Sequence, residues 1–202
     1  MEDLKPMGKA ANDRRKRQAR SLRLFRDVHR TTGALLFAGF IVVAVTGLLL
    51  GWKKNSGGYL QQKTYQGVST DPADWLSVDS LHRIAVRVLH DSLGAGLSAD
   101  LDRIDIRQDK GTVKFVFSRH FWGLQLDCTT GGVLCIERRR SDWIEKLHDG
   151  SLVDMYLGTE GGQVKLVYTT VMGLALLLFS VTGFWLWYGP KVMRRKSPER
   201  VA

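Results

Sequence analysis

Between Thr31 and Trp52 lie 22 consecutive residues without a charge, TTGALLFAGFIVVAVTGLLLGW, and Val167 to Tyr188 (VYTTVMGLALLLFSVTGFWLWY) forms a second run of the same length. At about 1.5 Å per residue each run makes a helix roughly 33 Å long, which matches the hydrocarbon thickness of a bilayer. Helices buried in a soluble core rarely go this long without a charge, so the runs read as two membrane-spanning helices. The apolar core of the first is longer than that of a signal peptide. Gly51-Trp52-Lys53-Lys54 also offers no small-residue cleavage pattern, so this span reads as an uncleaved anchor.

Charge is segregated along the 202 residues. Residues 1–30 carry ten basic and four acidic side chains, residues 191–202 carry five and one, and residues 31–190 carry fifteen of each, so the whole net charge of +10 sits on the two ends. A nucleic-acid-binding face needs basic residues organised on a folded surface, and the neutral middle argues against one. Anionic lipid and insertion topology account for the basic runs. Arg14, Arg15, Lys16, Arg17, Arg20, Arg23, Arg26 and Arg30 precede the first span, and Lys191, Arg194, Arg195 and Lys196 follow the second. Short basic flanks stay on the cytoplasmic side, so both termini are expected there, with residues 53–163 exported to the periplasm of a bacterial inner membrane. The chain then divides into a basic cytoplasmic segment (1–30), the first span (31–52), a linker (53–78), an α+β domain (79–140), an amphipathic connector (141–163), the second span (164–188) and a basic cytoplasmic tail (189–202).

Within the exported part the apolar period changes. Leu81, Ile84, Ala85, Val88 and Leu89 recur at helical spacing, with Asp79 or Ser80 as N-cap and Gly94-Ala95-Gly96 as the stop. Alternation follows in four runs: Leu101, Ile104 and Ile106; Val113, Phe115 and Phe117; Leu124 and Leu126; Val133 and Ile136. Asp109-Lys110-Gly111 and Thr130-Gly131-Gly132 supply turn chemistry between runs, predicting one helix packed on a four-stranded antiparallel sheet. Cys128 and Cys135 bracket the last turn. They face each other across the ladder if Gly131 and Gly132 form a two-residue turn, and do not if Thr130 and Gly131 form it. Two cysteines are too few for a metal site.

Five histidines are present. His82 and His90 fall off the apolar helix face and His120 lies beside Arg119 at a strand junction, which reads as three solvated surface residues. His29 sits at the cytoplasmic boundary of the first span, where an imidazole can face lipid headgroups or a ligand. Gly33, four residues on, clears space on the same helix face for something flat. His148 interrupts an apolar stripe between Ile144 and Leu152, just before the second span. The spans repeat: Val45-Thr46-Gly47 and Val181-Thr182-Gly183 each lie near a helix C-terminus, and because the helices run oppositely this is an inverted repeat. Met172, midway along the second span, is either a core filler or an axial ligand. No G-x-G-x-x-G or Walker loop is visible, so no nicotinamide, flavin or nucleotide site is expected.

The opening His-Arg-x-x-Gly of the first span, Leu147-His148-Asp149-Gly150 before the second, and the Thr-Gly closings together resemble the PepSY-associated transmembrane proteins. Asp127-x-x-Thr130-Gly131-x-Val133 resembles the strand-turn-strand signature of a PepSY domain, and the resemblance covers roughly residues 22–190. It implies a membrane protein of two transmembrane α-helices with an α+β periplasmic PepSY module. Larger relatives include ferric-siderophore reductases in which histidines hold b-type haem. The resemblance maps their ligands onto His29 and His148, with Gly33 beside the cofactor. This chain departs from that pattern in having two spans and one such histidine per membrane face, whereas a six-coordinate haem needs two. A homodimer restores the count as a four-helix bundle holding two haem b, electrons passing from a cytoplasmic or quinol donor to a periplasmic acceptor such as a ferric chelate. The alternative is a cofactor-free anchored module that docks a periplasmic partner, a protease or a transporter accessory.

Overall fold

The computed structural model describes residues 5–159 and 161–195. The ends of the basic segments, residues 1–4 and 196–202 with Lys196, lie outside the described residues, as do the side chains of Arg15, Arg194 and Arg195. The chain forms two compact units, residues 1–44 with 165–202, and residues 45–164.

The long helices α1 (Lys5–Trp52) and α5 (Gln163–Arg195) run antiparallel over the residues they give to the first unit. Phe25 meets Trp185 with ring centroids 5.8 Å apart, Phe40 meets Phe179 at 5.6 Å, and a side chain on Gly39 would strike the Met172 methyl at 3.0 Å. Met172 is therefore a packing residue against a glycine notch. The most apolar 18-residue windows have mean hydropathies of 2.5 and 1.9, yet only 6% of each window is buried against protein. Leu35, Leu48, Leu174, Leu177 and Trp187 are among the many large apolar side chains left exposed. Water would not tolerate two such surfaces, whereas lipid tails solvate them, so these helices span a membrane. Phe184, Trp187 and Tyr188 cluster at the end of the apolar run, with the Lys191 ammonium 3.6 Å over the Trp187 ring, which is the chemistry of a headgroup boundary.

Both helices extend past the charge-free runs. α1 takes in residues 5–30, because that segment is rich in Arg, Lys, Ala and Leu and carries no helix breaker after Gly8. α5 continues through Pro190, whose missing amide removes one helical hydrogen bond without ending the helix.

The second unit holds α2 (Val78–Leu93), the strands β1 (Leu101–Arg107), β2 (Thr112–Phe117), β3 (Trp122–Asp127) and β4 (Val133–Arg138), and the short helices α3 (Arg140–His148) and α4 (Ser151–Leu157). The strands form an antiparallel meander in the order β1-β2-β3-β4. Leu81, Ala85 and Leu89 of α2 pack on Val113, Phe115, Phe117, Leu124, Leu126 and Cys128, the core that the apolar periods predict. The N-cap of α2 is Ser77, whose hydroxyl accepts from the Ser80 amide, rather than Asp79 or Ser80. Ile104 and Ile106 alternate as expected but remain exposed, because β1 is an edge strand. His82, His90 and His120 are not free surface residues: His90 and His120 bond to the carbonyls of Leu97 and Ser98, and the His82 ring stacks over Phe115.

Residues 60–76, read from sequence as linker, are strapped across the sheet. Gln125 is fully buried and bonds the strap twice, its amide donating to Lys63 O at 3.0 Å and its carbonyl accepting from Tyr65 N at 3.2 Å. The Thr112 hydroxyl donates to Tyr65 O and Gly67 N donates to Lys110 O. Gly67 passes so close to Gly111 that a Cβ there would lie 2.3 Å from its carbonyl oxygen.

The β3–β4 turn is longer than either two-residue alternative, since Asp127 N donates to Gly132 O. Asp127 organises it by accepting from the Thr129 amide and the Thr130 hydroxyl. Burial alone would raise the Asp127 carboxyl, but these hydrogen bonds outweigh it and hold the group below its usual range. Cys128 continues the core face of Leu124 and Leu126, while Cys135 pairs with Gln125 on the other face, so both thiols are free. Burial pushes the Cys128 thiol up to about 11.

Helix α3 is tied to the sheet through Asp142, which accepts from Arg103 Nη2 of β1 at 2.7 Å and from Arg139 Nε at 2.8 Å. Burial opposes ionisation of this carboxylate, but the two guanidinium groups prevail and keep it charged below the usual range. A carboxyl depressed on folding adds stability above its unfolded value near pH 4, and that stability disappears as pH falls through the lower folded value. Asp142→Asn should therefore destabilise the unit by about 2–3 kcal/mol at pH 7 and flatten its loss of stability below about pH 4. Hydrogen exchange of β1 and α3 amides across that range checks both effects.

Candidate functional site

His29 lies on α1 and faces α5, where its Nδ1 is 3.0 Å from the hydroxyl oxygen of Thr182. Thr182 is buried and its hydroxyl also bonds back to the Leu178 carbonyl at 2.8 Å. A hydroxyl carries one proton, and donating it to Leu178 leaves the oxygen able only to accept. Nδ1 of His29 is therefore the donor in this contact. The other face of the ring is set by Phe179, stacked at a centroid distance of 3.9 Å and 23°. Gly183 completes the socket, since a Cβ there would stand 3.3 Å from His29 Cε1.

The space above Gly33 is taken by protein. A Cβ at Gly33 would lie 3.0 Å from Phe179 Cε2, so the missing side chain admits the aromatic ring that supports His29. Gly33 shapes the histidine socket through Phe179.

His148 is the last residue of α3, and its Nδ1 is 2.8 Å from the hydroxyl oxygen of Thr46 on α1. Thr46 is buried, and Gly47 beside it would place a Cβ 3.5 Å from His148 Cε1. The rest of the Leu147-His148-Asp149-Gly150 element fixes where α3 ends. The Asp149 amide caps the helix on Glu145 O, Gly150 turns the chain at φ 78°, and Asp149 Oδ1 accepts from the amide and hydroxyl of Ser151. Glycine takes this left-handed conformation without strain. On the next turn Asp154 is buried and accepts from the Thr159 hydroxyl and the Val164 amide in the first turn of α5.

Each histidine thus meets the same three-residue element. Val45-Thr46-Gly47 receives His148 and Val181-Thr182-Gly183 receives His29, with threonine on Nδ1 and glycine against Cε1 both times. The repetition of Val-Thr-Gly is visible in the sequence, but that its threonines are histidine partners is not, because the pairing joins residues 153 and 102 positions apart. Phe179 had no sequence signal at all.

The described residues contain no group of three or more His, Cys, Asp or Glu that could enclose a metal ion. The chemistry available is that of two oriented imidazoles, each with one nitrogen engaged. The PepSY-associated TM region family matches the chain over residues 5–189. This chain belongs to that family. No curated protein matches it.

Removing the hydroxyl by Thr182→Val leaves the His29 Nδ1–H without its partner, at a cost of about 1–2 kcal/mol. Nitrogen-15 spectra of histidine-labelled protein should show His29 Nδ1 protonated as a single species in the wild type. The same resonance should become a mixture in the variant.

Proposed function

We propose that this PepSY-associated chain is an inner-membrane b-type haem protein that carries electrons across the membrane to a periplasmic acceptor, with reduction of an Fe(III) chelate as its use. The observation that carries the reading is the pair of Thr–His contacts, with Nδ1 held at 3.0 Å for His29 and 2.8 Å for His148. An imidazole whose Nδ1 is engaged presents Nε2 as the donor, and a fixed tautomer with a fixed ring is what metal-ligating histidines need. The donor set fits haem iron, which takes one nitrogen per axial position, and does not fit an ion requiring several protein ligands.

His29 and His148 would be the axial ligands. Haem, when bound, supplies one-electron iron chemistry. Thr182 and Phe179 hold the His29 ring, Thr46 holds His148, and the glycines beside each threonine leave room for the rings. Because each chain offers one such imidazole at each position, a homodimer brings two to each haem, making a four-helix bundle with two haems. His29 and Thr46 are 17 residues apart on α1, roughly 25 Å of helical rise. With both termini cytoplasmic, the His148 pair is the periplasmic one. A second reading, a cofactor-free docking module, draws on edge strand β1, whose Ile104 and Ile106 stay exposed.

Protein purified in detergent from haem-replete cells should give a sharp Soret band and, on dithionite reduction, a narrow α band. His29→Ala and His148→Ala should each remove about half of the low-spin signal. A full spectrum retained in both variants would overturn the ligand assignment, and size analysis in detergent tests the dimer.

A further inference from the structure

In the second unit a cavity of about 520 Å³ is lined by Leu49, Tyr59, Leu60, Phe121, Trp143 and Ile144, with the consecutive Arg138, Arg139 and Arg140 along it. Its volume lies within the range of small-molecule sites. Arg139 is neutralised from within, by Asp142 at 2.8 Å and Glu137 at 3.6 Å. Arg138 and Arg140 are exposed and, among the described residues, neither has a carboxylate partner. The Arg140 guanidinium rests 4.1 Å over the Tyr59 ring, which holds the charge at the cavity. Phe121 lines the same cavity at φ 58°, a conformation that bulky residues adopt only when their surroundings compel it, and its carbonyl is fixed by the Arg139 amide at 2.7 Å.

We propose that this cavity binds the phosphodiester headgroup of an anionic phospholipid. Two uncompensated guanidinium groups supply the charge complement, and guanidinium pairs with phosphate in a forked geometry. The floor says which phosphate. Leu49 belongs to the charge-free run of α1 and lies three residues before its end at Trp52, while Val45 and Leu48 of the same stretch are exposed. The cavity therefore opens where α1 leaves hydrocarbon. A lipid seated there places its phosphate on Arg138 and Arg140 and its glycerol and upper acyl carbons against Leu49, Leu60, Phe121 and Ile144. A free phosphate would leave that apolar floor wet. The site is independent of the histidines and stands or falls separately from the electron-transfer reading.

The test is native mass spectrometry of the full-length protein released from detergent micelles carrying phosphatidylglycerol or phosphatidylcholine, or supplemented with soluble glycerol 3-phosphate. The wild type should retain phosphatidylglycerol at about tenfold lower lipid concentration than phosphatidylcholine. Arg138→Gln with Arg140→Gln should abolish that preference without changing phosphatidylcholine retention, and Arg87→Gln with Arg107→Gln should preserve it. Equal retention of the two lipids by the wild type, or an unchanged preference in the Arg138/Arg140 variant, would overturn the proposal. Displacement of phosphatidylglycerol by an equal concentration of glycerol 3-phosphate would overturn the assignment to lipid.

Discussion

A threonine hydroxyl bound to an imidazole Nδ1 is the interaction on which the membrane part of this PepSY-associated protein turns. A polar side chain buried in protein must find its partner there, because water does not reach it. Thr182 meets that demand for His29 and Thr46 meets it for His148, and both threonines are buried. The consequence is chemical as well as structural. At His29 the hydroxyl proton is committed to a helix carbonyl, so the ring donates from Nδ1 and its orientation is set by that contact.

His148 depends on a different scaffold from His29. It ends a nine-residue helix, too short to be stable alone, so its position is inherited from what holds α3. Asp142, gripped by arginines from β1 and from the start of α3, ties the helix to the sheet. Asp149 and Gly150 stop it one residue after the histidine. The sheet is therefore more than an appendage to a membrane anchor, since its charge network and strap support the element that carries one of the two oriented imidazoles. The strap also explains why β2 is buried along its whole length, with α2 on one face and Gln125-bound residues on the other.

Much of this was legible in the residues because the signals were local and periodic. Charge-free runs gave the spans, and two-residue alternation gave the core positions of β2 and β3, from Val113 to Leu126. What was hidden was non-local. Residues 60–76 have no period, because their backbone is satisfied by Gln125 and Thr112 rather than by a ladder. Alternation in Leu101, Ile104 and Ile106 reports the faces of β1 but not that it lies at the sheet edge with both isoleucines exposed. By sequence Gly33 offers room on its helix face; the ring that fills that room, Phe179, comes from a helix 146 residues further along the chain. The repeat of Val-Thr-Gly was seen, yet its meaning required the histidines to be brought to it by the fold.

Whether these imidazoles serve iron porphyrin, as proposed, is tested most directly by pigment stoichiometry. Extraction of haem from dimeric, folded protein made in haem-replete cells should yield one haem b per chain, two per dimer. A folded preparation that is colourless under those conditions would contradict the account.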